Sequence, residues 1–126
     1  MAKAPDIRQL EIWSRRILDL LRKEGTVEIS LLSNSELRKL KRRFLKREAK
    51  TVDVLSFRAG RDFPRPDLPE RAWGEVFLNR ALMRSRRRAQ GLLIHGILHL
   101  LDYDHEKKSD RIKMQKQEVR LLDLLG

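Results

Sequence analysis

All three histidines of this 126-residue chain fall in one stretch, His95-Gly-Ile-Leu-His99-Leu-Leu-Asp-Tyr-Asp-His105. Histidines four apart share one face of an α-helix, one turn above the other. His105 follows six residues after His99, beyond an expected helix break, from where it can swing back as a third ligand. Three imidazoles with an open fourth position are the ligand set of a catalytic zinc, whereas a structural zinc is closed by four protein ligands. The competing reading is a set of unrelated core or surface histidines. It is disfavoured because no histidine occurs elsewhere in the chain. A zinc with an open position acidifies bound water or polarises a substrate oxygen, so the chemistry expected is hydrolysis.

The residues between the histidines narrow the reaction. The spacing is that of the metzincin proteases, but Gly96 stands where they carry a glutamate base. A peptidase without that carboxylate has lost the group that activates its water, so proteolysis is disfavoured. Asp102 stands where a helix exit commonly needs a left-handed glycine, and aspartate is among the few other residues that tolerate that region. Asp102 and Asp104 have two open roles: to shape the turn, or to accept a hydrogen bond from a ligand imidazole.

Charge points to the substrate class. Lysine and arginine number 29 against 18 acidic residues, a net charge of +11. A dense solvated surface explains many charges but not their one-sided sign; a polyanion partner, nucleic acid, does. There is no cysteine, which excludes a disulfide framework and a thiolate metal site. No apolar run approaches membrane-spanning length, and Met-Ala-Lys-Ala-Pro-Asp at the start has no apolar leader core, so a cytoplasmic protein with no membrane partner is expected.

The elements that must position the histidines follow from periodicity. Residues 6–24 read as an amphipathic helix stopped by Gly25. Thr26 to Leu32 alternates as a strand. Ser33 and Glu36 form a capping box opening a helix over 34–47, whose polar face carries Arg38, Lys39, Lys41, Arg42, Arg43, Lys46 and Arg47. Val52–Phe57 and Trp73–Leu78 read as strands, and the prolines of 59–71 as a loop. One long helix is expected over 80–101, first basic (Arg84, Arg86, Arg87, Arg88) and then apolar nearly all round, hence buried. Ser109 caps a last helix over 110–124. The fold expected is α+β: a single domain over residues 1–126, with a small mixed sheet of three or four strands, about four packed helices and the metal-bearing helix at the centre.

Three segments carry a family resemblance. The histidine segment resembles the HGxLHLxGYDH signature of the YbeY family of bacterial rRNA maturation factors. Asp53-Val-Leu-Ser-Phe57 is similar to that family's TDVLSFP strand, and Gly74-Glu-Val-Phe-Leu-Asn79 to its GD/GE-I strand. The resemblance implies a single-strand-specific, metal-dependent endoribonuclease that helps mature ribosomal RNA, serves ribosome quality control and acts near the small ribosomal subunit. It implies one zinc ion held by His95, His99 and His105. The chain departs from the family's pattern in three places: Asp102 for its glycine, Arg58 for its proline after the phenylalanine, and Val52 for its threonine, with Thr51 one place earlier. The family's functional arginine maps by gapless counting onto Lys46, with Arg43 and Arg47 close by; lysine lacks the bidentate fork for phosphate.

On this reading Arg42, Arg43, Lys46 and Arg47 of the second helix, with Arg84 and Arg87, bind the backbone of single-stranded RNA, and binding is salt-sensitive. The attacking group is either an acidified water or the neighbouring 2′-hydroxyl. Ser56 can donate a hydrogen bond near the site, though a strand serine is more often structural. Two other classes stay open: a zincin-like metalloprotease, and a non-catalytic ribosome- or RNA-binding factor that keeps metal for stability.

Overall fold

The computed structural model describes residues 4–60, 72–103 and 108–126; most of the proline-bearing loop, Asp104 and His105 lie outside the described residues. The elements run α1 (Ile7–Leu20), β1 (Thr26–Leu32), α2 (Asn34–Leu40), β2 (Val54–Arg58), β3 (Ala72–Asn79), α3 (Arg86–Leu100) and α4 (Lys108–Leu125). The α+β class and the four helices are as expected. The sheet has three strands in the order β1-β3-β2, with β1 parallel and β2 antiparallel to β3; no fourth strand occurs among the described residues. Among the described residues no helix is long and apolar enough to cross a membrane.

β3 is buried from Gly74 to Asn79, because both its faces are covered. Val76 and Leu78 face a core shared by α1, α3 and α4, with Leu10, Ile17, Ile29, Leu93, Ile97 and Leu121. Phe77 faces the other way with Leu37, Val52, Leu55 and Phe57, under α2. There Phe57 meets Phe77 and Phe44 edge-on, each at 5.8 Å between centroids, the geometry aromatic quadrupoles favour.

Helix ends differ from expectation in instructive ways. In α1 the Asp6 carboxylate accepts from the Gln9 N–H at 2.9 Å, but the helix stops at Leu20, short of Gly25. Arg22 takes the left-handed turn at φ 56°. Lys23 N donates to Leu18 O and Arg22 N to Asp19 O, the two bonds of a Schellman cap. Gly25, at φ 110°, serves the turn into β1 instead.

The Ser33–Glu36 capping box is present in both directions. The expected helix 34–47 is regular only to Leu40; a wider π turn spans Lys41–Leu45, and Lys46 ends it in the left-handed conformation at φ 55°. The chain beyond is held by Asn34, whose amide donates to Lys50 O and whose Oδ1 accepts from Val52 N. Buried Asn79 donates to Val52 O from the other side.

The helix expected over 80–101 is interrupted. Asn79 accepts from Ala81 N to hold a 3-10 turn over Arg80–Leu82, and Ser85 then caps α3 by accepting from Arg88 N. Arg84 therefore precedes the helix instead of riding on it. α4 already includes Ser109, so Ser109 is not its cap.

Candidate metal centre

Packing decides which face of α3 is open. From Ala89 to Leu100 every residue is buried except Gly91, Leu92, His95 and His99. The helix lies deep on the sheet because position 96 has no side chain. A Cβ there would fall 2.7 Å from Val76 Cγ1 and 3.1 Å from Ser56 Oγ. Ser56 instead donates to the Gly96 carbonyl at 2.8 Å, so its role is structural. Position 96 faces the sheet, and any side chain there would collide with Val76.

His95 and His99 stand one turn apart with ring centroids 4.5 Å apart at 74°. Their Nε2 atoms converge to 3.0 Å. Two imidazole nitrogens on one tetrahedral zinc, each about 2.05 Å from it, lie roughly 3.3 Å apart. The pair thus fits two corners of a metal site. Glu118 of α4 places Oε1 3.4 Å from His95 Nδ1, where a carboxylate can orient the ring so that Nε2 could serve as a metal ligand. Glu118 sits between Met114 and Leu121, both buried. The sequence reading passes over Glu118; its only local mark is a carboxylate interrupting an inward apolar stripe.

Two clefts meet at His95 and Glu118. One, of about 420 Å³, adds Arg111, Met114 and Gln115. The other, of about 450 Å³, adds Asp53, Val54, Arg88, Gly91 and Leu92.

A model of the family "Endoribonuclease YbeY" matches residues 3–126. This chain belongs to the endoribonuclease YbeY family. It is 34% identical to the endoribonuclease YbeY of Myxococcus xanthus, over 94% of this chain and 43% of that protein, so it spans less than half of that relative. It is 29% identical to the endoribonuclease YbeY of Halorhodospira halophila, over 99% of this chain and 86% of that one. The fold is similar to the solution structure of TM1509 from Thermotoga maritima, with a TM-score of 0.58 and 22% identity, over 93% of this chain and 79% of that one.

Two of the departures from the YbeY pattern meet in space. Asp102 adopts φ 68°. Asp102 N donates to His99 O, and Tyr103 N to Leu98 O, so α3 ends in a Schellman cap with aspartate at the left-handed position. The Asp102 carboxylate in turn accepts from Arg58 Nη1. Arg58, in the place of the YbeY proline, thus partners the residue in the place of the YbeY glycine.

The basic residues are distributed differently from the sequence reading. Arg42 and Arg43 lie in the π turn after α2, and Lys46 and Arg47 just beyond it, all exposed. Arg42 pairs with Glu48 at 2.8 Å and Arg43 lies over the Phe44 ring. None of the four is among the described residues lining the His95 clefts. Arg87 pairs with Asp123 of α4 at 3.4 Å. Arg111 lines one His95 cleft; of the arginines from 84 to 88, the one that lines the other is Arg88, 3.7 Å from Asp53. Within a run of arginines only the rotation of α3 on the sheet singles it out.

Proposed function

We propose that this chain is a single-strand-specific, metal-dependent endoribonuclease acting in ribosomal RNA maturation and ribosome quality control. The observation that carries the reading is the converging Nε2 pair of His95 and His99, backed by Glu118, in a chain matched nearly end to end by the endoribonuclease YbeY family. His95 and His99, with His105 as the third ligand, would hold one zinc ion. Zinc, when bound, supplies Lewis acidity at a phosphodiester and an acidified water. Glu118 keeps the Nδ1 proton of His95 engaged, so that Nε2 stays a lone-pair donor. Asp102 and Asp104 would accept a hydrogen bond from a ligand imidazole. By the resemblance Lys46 would be the cation at the reacting phosphate, although it lines neither described His95 cleft. Arg42, Arg43, Arg47, Arg84 and Arg87 bind the backbone around it, in keeping with a charge of +11. The working partners are single-stranded ribosomal RNA and the small ribosomal subunit, in the cytoplasm, with residues 1–126 acting as one domain.

The test pairs metal analysis with cleavage of an unstructured RNA and of a duplex by wild type and His99→Ala. Stoichiometric zinc, cleavage of the single strand alone and loss of both in the variant are expected. Folded, zinc-loaded wild type that leaves unstructured RNA intact would overturn the reading.

A further inference from the structure

The open face of α3 is a single stripe. Arg88, Gly91, Leu92, His95 and His99 stand at i, i+3, i+4, i+7 and i+11, the spacing of one helix face, while the residues between them from Ala89 onward are buried. Arg88 is seven residues from His95, which sets it about 10 Å along the helix axis from the first ligand. Its side chain is 54% exposed, and that of Asp53 at 3.7 Å is 45% exposed, so the pair does not neutralise Arg88 strongly.

Between Arg88 and His95 the floor is Gly91. A glycine inside a helix is unfavourable relative to alanine and calls for a reason. Gly96, one turn and a little further on, has a packing reason: a Cβ there collides with Val76. Gly91 has none, since a Cβ built on it meets nothing within 4 Å. What glycine leaves there is space, between an exposed guanidinium and the histidine pair.

We propose that this stripe is the substrate track: Arg88 grips a phosphate of a single-stranded RNA displaced along the chain from the one at the histidines, and Gly91 keeps the floor low enough for the strand to pass. The track deepens the endoribonuclease reading and rests on it for the identity of the bound polymer. Charge decides the occupant. An excess of 11 positive charges and an Arg fork suited to bidentate phosphate contact favour a polyanion over a peptide. The apolar floor of Leu92 and Val54 suits unstacked base or sugar faces, which a duplex does not present.

The test measures metal-free binding of a fluorescent unstructured oligoribonucleotide over a range of salt, for wild type, Arg88→Gln, Arg88→Lys, Gly91→Ala and Gly91→Leu. Arg88→Gln is expected to weaken binding about ten-fold at low salt and to reduce the salt slope by about 0.7, one single-strand phosphate contact. Arg88→Lys falls between. Gly91→Ala raises the melting temperature by roughly 3 °C yet weakens binding, and Gly91→Leu weakens it further. Binding by Arg88→Gln and Gly91→Leu equal to wild type would overturn the track, whatever the cleavage assay shows. Lost affinity in these variants alongside a wild type that cleaves nothing would support the track and reject the endoribonuclease reading.

Discussion

Arg58, the last residue of β2, donates to the carboxylate of Asp102, the left-handed residue that closes α3. The contact ties the end of an edge strand to the exit of the histidine helix. Asp102 is costlier than glycine at positive φ, and the ion pair offsets part of that cost. With side chains 30% and 67% exposed, the pair itself contributes little, at most about 1 kcal/mol.

Urea unfolding of variants at this turn should therefore rank by backbone before charge. Asp102→Gly is expected within about 0.5 kcal/mol of wild type, and Asp102→Ala to cost about 1 kcal/mol. In a double-mutant cycle with Arg58→Ala, the coupling should stay below about 1 kcal/mol. An Asp102→Ala variant more stable than Asp102→Gly would show that the turn is not governed by φ.

Gly96 is set by the sheet beneath it. Gly96→Ala should cost about 1–3 kcal/mol through overpacking against Val76, despite the better helix propensity of alanine. Val76→Ala in the same chain should recover part of that loss, because the two side chains compete for one space. Thermal unfolding of the four proteins of this cycle decides it, and additive losses would be the contrary result.

Glu118 is only partly buried and lies beside His95. Glu118→Ala should weaken zinc binding about 10–100-fold while the melting temperature of the metal-free protein barely moves. Glu118→Gln, which retains an accepting oxygen, should lose less. Competition with a chromophoric chelator gives the affinities, and an unchanged value in Glu118→Ala would remove the carboxylate from the site.

The capping box leaves a pH signature. The backbone N–H of Ser33, then its hydroxyl, hold the Glu36 carboxylate below its ordinary value of 4.5. Because the folded value is depressed, the stabilisation is complete above the ordinary value and is lost as pH falls through the folded one. Acid titration of wild type against Glu36→Gln should show this component only in wild type. Ser33→Ala should cost about 1 kcal/mol at neutral pH.

What could be read from the chain follows from the range of each interaction. His95 and His99 were legible because one helical turn sets their geometry, and the Ser33–Glu36 box because it is closed within four residues. Glu118 and Arg88 were not, because what selects each is the packing of α3 against another element. The stop of α1 was misplaced for a related reason. Glycine is the usual left-handed residue, which points to Gly25, but the apolar face ends with Leu20 and Leu21 on the core and Arg22 makes the turn. The long helix over 80–101 was broken by Asn79 and Ser85, two local caps hidden in an otherwise helical pattern.

The close seating of Gly96 on Val76 also sets the order in which the molecule opens. Amides of α3 around Leu93 to Leu98 lie in the best-packed part of the core, so their hydrogen exchange should require global unfolding. His95 and His99 are mounted on that slowest-exchanging unit. Local opening elsewhere in the fold then leaves the two nitrogens at their spacing, so a metal held there would exchange from a folded protein.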